Sequence, residues 1–325
     1  MKRKVFFNGK FVNEELAKLS IYDSSLMFGD MVFEMTRSFN QKHFLLEEHI
    51  DRLFYGIKIL EIPIKYSKRN VLDLCIETAN KNVKAFNKND EHRLMIDVTR
   101  GVLDIYKPAI SNHKGANLII ADFPLRWTVS GMGKLFNKGI NAVITSQRAI
   151  PSRYMDPKIK NRSRLFYLMA NIEVSNFAGD NNWALLLDEN GDIAEGSGDN
   201  FFIIKSGEII TPPGKDILRG ISRKYVMENL AEDLGCVVKE KNIDPYDVYT
   251  ADEAFMTGTP FCMLPVTHLN FKKIGGGKVG PIFKKLISKW SKNVGLDIIK
   301  QIKSWDKKFN TKQKMSPYTF KKKNG

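Results

Sequence analysis

The chain of 325 residues is 43% hydrophobic and 27% charged, which supports packed globular domains and excludes a disordered or collagen-like polymer. No apolar run reaches the ~20 residues that span a bilayer, and the basic start MKRKVFFNGK lacks the apolar core and cleavage site of a secretory signal. The net charge of +15 is a nucleic-acid signature only until it is located: residues 284–325 hold thirteen Lys, no Arg, two Asp and no Glu, which is +11 and leaves +4 for the rest of the chain.

Cys75, Cys236 and Cys262 are few, odd in number and far apart, so they give neither a disulfide framework nor a C-x-x-C zinc pattern. The five histidines show no H-E-x-x-H spacing. No metal site is expected, and a reducing, cytoplasmic location is.

In chain order, VFFNGKF (5–11) predicts a hairpin around Asn-Gly. Residues 31–39 and 43–46 predict a strand pair around NQK. LEEHIDRLFYGIKIL carries Ile50, Leu53, Phe54, Ile57 and Leu60 on one helical stripe and stops at Pro63. Residues 69–83 predict a second helix with Val71, Leu74, Cys75 and Thr78 on one side, and strands follow at 92–101 and 116–124. Periodicity then fades through a stretch containing Gly131 and Gly133, read as an interdomain connection. A second set of elements opens with a strand at 140–147 and a helix whose predicted apolar face is Leu165, Leu168, Met169 and Ile172. WALLLDENGDIAEGSGDNFFII (183–204) predicts three strands, GEIITPP a further one, residues 220–235 a helix ended by Gly235, residues 253–259 a late strand, and a last helix opens at 280. GGGKVG (275–280) lacks the G-x-x-x-x-G-K-[ST] spacing and is read as a loop. Strands and helices mix in both halves. The expected fold is therefore α/β with mixed α+β sheets: an N-terminal domain (1–122), an interdomain loop (123–135), a C-terminal domain (136–303) and a Lys-rich, disordered tail (304–325).

Five short stretches carry side chains able to do chemistry. DPKIKNRSRL (156–165) sets Lys158, Lys160, Arg162 and Arg164 at alternate positions; alone, it reads as a solvated helix start, an anion patch or the seat of a catalytic lysine. LRGISRK (218–224) leads through Gly220 into a helix with Ser222 in its first turn, where exposed amides and the dipole favour an anion. A plain Ser cap is the simpler reading. MTGTP (256–260) ends a strand with Thr257 and Thr259 around a Gly turn, which suits a phosphate or is only a turn. AEGSGDN (194–200) closes a strand with Glu195, a carboxylate placed either for a cationic ring nitrogen or for solvent. Arg52 lies in the amphipathic helix and faces solvent or offers a bidentate fork to a phosphate.

Taken together, MFGDMVFE (27–34), LEEHIDRL (46–53), IKNRSRL (159–165), IAEGSGDNFF (193–202), LRGISR (218–223) and ADEAFMTGT (251–259) occur in an order that is specific. The sequence resembles the fold-type IV, or class IV, pyridoxal-phosphate enzymes, among them branched-chain and D-amino-acid aminotransferases and aminodeoxychorismate lyase. The likeness covers roughly residues 5–300. It implies a two-domain class IV aminotransferase fold, pyridoxal 5′-phosphate as cofactor, an amino acid and a 2-oxo acid as substrates, and a homodimer. On this resemblance Lys160 matches the Schiff-base lysine, and Lys158 has no family role. Glu195 matches the carboxylate paired with the ring nitrogen. Arg52, Ile221, Ser222 and Thr259 match the phosphate cradle, and Leu218 a residue packed beside the ring. Phe33 matches an aromatic position of the substrate pocket, and Glu34 an acid of the same motif.

The subfamily signatures are mixed. Leu165 stands where branched-chain enzymes typically carry Tyr, and KNRSRL spaces like the K-x-x-N-R-L of aminodeoxychorismate lyases. EHR (91–93) replaces the branched-chain Y-x-R, keeping Arg93 but with Glu91 for Tyr, and the R-x-H of D-amino-acid enzymes is missing. LIIADFP and VFE lean towards transaminases. The resemblance thus implies an amino-acid transaminase of branched-chain type working through Lys160. The alternatives are aminodeoxychorismate lyase, a D-amino-acid transaminase, and a degenerate family member kept as a basic-tailed binding protein. Arg93, Arg100 and Arg126 are the candidates for a substrate carboxylate. No membrane partner is expected, and the tail at 304–325 reads as a solvated extension before it reads as an RNA or acidic-lipid binder.

Overall fold

The computed structural model describes residues 2–109 and 115–308, in two compact units. The first comprises the described residues up to Trp127 together with Ile159–Arg164; the second runs from Thr128 to Lys158 and resumes at Leu165.

In the first unit, β1 (Lys4–Phe7) and β2 (Lys10–Asn13) pair antiparallel with Phe7 opposite Lys10. Asn8 and Gly9 have φ of 48° and 88°, the two left-handed residues that a tight hairpin of this twist requires. The strand expected over 31–39 is two strands, β3 (Met31–Met35) and β4 (Ser38–Phe39), and β4 turns back on β5 (Lys42–His43). The buried Glu91 carboxylate accepts from Ser38 Oγ (2.5 Å), Asn40 N (2.8 Å) and Gln41 N (2.9 Å), pinning the β4–β5 turn. Then come α1 (Leu46–Ile59), α2 (Lys68–Asn82), β6 (His92–Thr99) and β7 (Asn117–Pro124). Ser67 and Asn70 form a reciprocal cap at the start of α2. The sheet order is β2-β1-β7-β6-β3, and every pair is antiparallel. Ile50, Leu53 and Ile57 of α1 and Val71, Cys75 and Ala79 of α2 join Leu94, Ile96, Leu118 and Ile120 of the sheet in one core.

Residues 159–164 return to this unit across a long excursion. Val32 of β3 bridges to Asn161, and Phe33 N donates to Lys160 O at 2.9 Å. The segment that carries Lys160 thus packs with the N-terminal unit, whereas the expected domain 136–303 placed it with the C-terminal one.

The second unit contains β8 (Ile140–Arg148), α3 (Leu165–Val174), β9 (Asn182–Leu187), β10 (Ile193–Gly196), β11 (Asn200–Lys205) and β12 (Glu208–Thr211). Next, α4 begins at Ile221–Tyr225 and stays helical to Asp233 through a π-turn at Val226–Leu230. After it come β13 (Val238–Glu240), β14 (Glu253–Gly258), β15 (Cys262–Leu269), β16 (Lys272–Lys273), α5 (Pro281–Asn293) and α6 (Ile298–Lys308). The strand path is β10-β9-β8-β15-β14-β11-β12-β13, and an extra β10–β11 pairing closes the six strands from β10 to β11 on themselves. The closing pair is Glu195 opposite Asn200.

Two expectations shift here. The face that α3 buries is Tyr167, Ala170 and Val174, while Leu165, Met169 and Ile172 of the predicted apolar face are exposed. The helix LFYLMANIEV is apolar nearly all round, so periodicity could not choose the side. Residues 304–308, expected to open the tail, are instead the end of α6, with Trp305 buried and Asp306 accepting from Gly131 N (2.6 Å) and Gly133 N (2.8 Å). Residues 309–325 of that tail lie outside the described residues. Among the described residues, no helix is long and apolar enough to cross a membrane, and no group of three or more His, Cys, Asp or Glu could hold a metal ion.

Candidate active site

In the first unit the site is built on β3. Alternation along the strand sends Phe33 and Glu34 to opposite faces. Glu34 is fully buried (0% exposed) and meets two residues of α1 one turn apart. Arg52 donates through Nε to Oε1 (2.6 Å) and through Nη2 to Oε2 (2.9 Å), and His49 Nδ1 lies 2.7 Å from Oε2. Burial alone would raise the Glu34 carboxyl, but Arg52 and His49 overcome it and hold it well below the usual carboxylate range. Burial pushes His49 the other way, below its ordinary value, against the pull of Glu34 and with help from the Arg52 and Lys160 cations. His49 is thus a neutral donor at neutral pH. Glu34, taken from the sequence as a substrate-pocket acid, spends its oxygens on orienting Arg52.

Residues 160, 162 and 164 project their cations around one ring. Lys160 Nζ lies 5.0 Å, Arg162 Cζ 3.7 Å and Arg164 Cζ 5.9 Å from the Phe33 centroid. Arg162 also pairs with Asp97 at 3.0 Å. Burial raises the Asp97 carboxyl, and Arg162 opposes that shift. In the second unit, Lys158 donates to the Lys215 carbonyl at 2.9 Å and pairs with Asp156.

The three carboxylate-binding candidates separate clearly. Arg100 gives Nε to Asp30 (2.5 Å) and its other nitrogens to the carbonyls of Leu60 (2.5 Å) and Glu61 (3.0 Å), so its donors are engaged within the first unit. Arg126 pairs with Asp90 at 2.8 Å. Arg93 on β6 is 6% exposed and reaches the Met35 sulfur at 3.6 Å through Nη2, and among the described residues its Nε and Nη1 have no hydrogen-bond partner. Burial, then the nearby Arg37 and Arg162 charges, push it down to about 9, still charged at neutral pH. A buried guanidinium with unmade donors is set up for an anion.

In the second unit the site gathers where the six strands close. Glu195 is 3% exposed. Its Oε1 accepts from Tyr167 OH (2.6 Å), and its Oε2 from Asn200 Nδ2 (3.1 Å) and Leu218 N (3.1 Å). Asn200 also donates to Leu218 O at 2.9 Å, so Leu218 is anchored by both of its backbone groups. The register continues this row: Asn200 of β11 lies opposite Thr257 of β14, whose buried Oγ1 has no hydrogen-bond partner among the described residues. Gly220 precedes α4, and a Cβ there would stand 2.2 Å from Asn200 Oδ1, so only glycine lets the helix start this close. Ile221 and Ser222 are buried in the first turn of α4, and Thr259 is half-buried just past the end of β14.

Of the sequence candidates, Phe33, Glu34, Arg52, Arg93, Arg100 and Lys160 fall in the first unit, and Glu195, Leu218, Ile221, Ser222 and Thr259 in the second. The partners of Glu195 were not singled out from the sequence. Asn200 lay inside the quoted AEGSGDN turn, and Tyr167 was hidden by the misjudged face of α3.

The family model described as amino-transferase class IV matches residues 31–269. A Methanocaldococcus jannaschii relative, provisionally named a branched-chain-amino-acid aminotransferase, is 38% identical over 288 residues, covering 88% of this chain and 95% of the relative. Among solved structures, the T.th. branched-chain amino acid aminotransferase with pyridoxamine 5′-phosphate superposes with a TM-score of 0.79 at 28% identity, over 90% of this chain and 94% of that one. The Escherichia coli branched-chain amino acid aminotransferase gives 0.79 at 27% identity, over 91% and 95%. An expectation drawn from ordered motifs thus meets whole-chain likeness in sequence and in fold, and the chain belongs to the class IV aminotransferase family.

Proposed function

We propose that this enzyme is a pyridoxal-phosphate-dependent transaminase that takes the amino group from amino acids, branched-chain ones among them, and gives it to a 2-oxo acid. The observation that carries the reading is Glu195, a buried carboxylate near the end of β10 held by donors from Tyr167, Asn200 and Leu218. The residues fit the cofactor. The orphaned Thr257 hydroxyl, the glycine-dependent start of α4 and the Arg52 guanidinium set by Glu34 are the groups that a phosphate ester calls for. When bound, pyridoxal 5′-phosphate supplies an aldehyde for amine capture and a protonated ring that draws electrons from the reacting carbon.

Lys160 would hold the cofactor through its amine, and its Nζ, when free, would take the proton from the substrate α-carbon. Glu195 would keep the ring-nitrogen proton in place. Arg52, the Ile221 and Ser222 amides, the Ser222 hydroxyl and Thr259 would hold the phosphate, and Leu218 would pack beside the ring. Arg93 receives a substrate carboxylate, and the Phe33 ring offers an apolar side chain a surface. The exposed Leu165, Met169 and Ile172 on α3 support a second copy of the chain as partner in a homodimer. The three free cysteines fit a cytoplasmic setting.

The test is a half-reaction. Purified holoenzyme mixed with L-leucine and no acceptor should convert to the pyridoxamine form and release one equivalent of 2-oxo acid. Borohydride trapping should map to Lys160, and K160A should reduce both signals to background. Pyruvate formed from aminodeoxychorismate, without that conversion, would replace this reading with the lyase.

A further inference from the structure

We infer that Tyr167 is a positioning residue of the catalytic pair: its hydroxyl holds the Glu195 carboxylate ionised and turned for the ring nitrogen. This rests on the role of Glu195 proposed above. Tyr167 belongs to the buried face of α3 with Ala170 and Val174, so the helix presents it to the sheet. A buried phenol needs a partner, and this one finds Glu195 Oε1 at 2.6 Å, the length of a charge-assisted O–H···O bond. The two donors on Oε2 are longer, at 3.1 Å, and are knitted together through Leu218. The carboxylate is thus gripped from the β11 and Leu218 side on one oxygen and from α3 on the other.

The chemical consequence concerns one proton. A ring nitrogen and a carboxylate in contact share a proton, and its position depends on which base is the weaker. Hydrogen bonds donated to a carboxylate favour its charged form. The Tyr167 hydroxyl therefore weakens Glu195 as a base and leaves the proton on the nitrogen, where it makes the ring an electron sink. Phenylalanine at 167 keeps the ring packing and removes that donor.

The experiment loads wild-type protein and Y167F with cofactor labelled with 15N in its ring, and reads the ring-nitrogen shift by NMR. A neighbouring variant, F166L, alters packing beside Tyr167, whose ring lies 4.0 Å from that of Phe166, while keeping the hydroxyl. In Y167F the nitrogen signal should move towards the unprotonated position, with borohydride trapping on Lys160 still stoichiometric. Its kcat should fall about tenfold, the effect of one hydrogen bond to a charged group. KM should stay within about twofold, since the interaction is not a substrate contact. F166L should leave the nitrogen signal at its wild-type position. A wild-type signal in Y167F, or an equal shift in F166L, would overturn the inference while leaving the cofactor assignment standing. Absence of a trapped label on Lys160 in the wild type would instead sink the cofactor assignment, and this inference with it.

Discussion

Glu34 in the first unit and Glu195 in the second are both buried carboxylates, yet they are held by different kinds of group. Glu34 meets a guanidinium and an imidazole, whereas Glu195 meets a phenol, a carboxamide and a peptide N–H. A carboxylate clamped by an opposite charge is neutralised on site, so its use is to aim its partner. One held by neutral dipoles is fixed in direction but keeps its negative charge, which remains available to a cationic ring. The first unit accordingly tolerates little electrostatic damage, while the second depends on hydrogen bonds that can be removed singly.

That contrast breaks most readily at Glu34. E34Q leaves the half-buried Arg52 without the Glu34 charge, and the loss should be about 3 kcal/mol, read by urea denaturation. Cofactor affinity should weaken with it, because Arg52 loses its orientation. An unperturbed midpoint would show that Glu34 and Arg52 are not the clamp of this unit. Arg93 sharpens the contrast from the other side. R93M removes a buried charge with unmade donors, so stability should rise by about 1 kcal/mol. KM for the amino acid should rise about tenfold as a charge-assisted contact is lost. A stable variant with unchanged KM would reassign the substrate carboxylate.

The smallest effect is a pH slope carried by the first unit. His43 lies against His92, and burial, then the His92 charge, lower it from 6.5 to about 4. The unfolded chain therefore takes up a proton at a pH where the folded one does not, and stability falls as pH drops from about 6.5 towards 4. His49 is shifted in the same direction. H43N should flatten its share of this slope, and denaturation midpoints across that window would measure the change. An equally steep fall in H43N would assign the slope to other groups.

Much of the first unit was legible because its signals are local. Asn8-Gly9 specifies its own turn, and the α1 stripe at Ile50, Leu53 and Ile57 is the stripe that packs. Motif order proposed the roles of Lys160 and Glu195, and with them the Arg52 phosphate role. What escaped depended on long-range pairing or on ambiguous pattern. The return of 159–164 to β3 rests on contacts between residues more than a hundred positions apart. Glu34 was taken for a pocket acid because nothing in VFE announces that its neighbour is Arg52. β15 went unread because Pro265 argues against an interior strand, yet it lies between β8 and β14. The buried face of α3 could not be chosen from a helix apolar on most sides, and Tyr167 was lost with it.

The return of residues 159–164 has a consequence for how the chain is made. When a ribosome has delivered residue 127, the first unit still lacks the strip that bridges Val32 and carries Lys160. Residues 128–158 must emerge before that strip arrives, and they belong to the other unit. Synthesis alone therefore cannot finish the N-terminal unit before the C-terminal one begins, as it would for domains that are contiguous in sequence. The nascent chain gains Lys160 only with the last strip of a unit it has long since started.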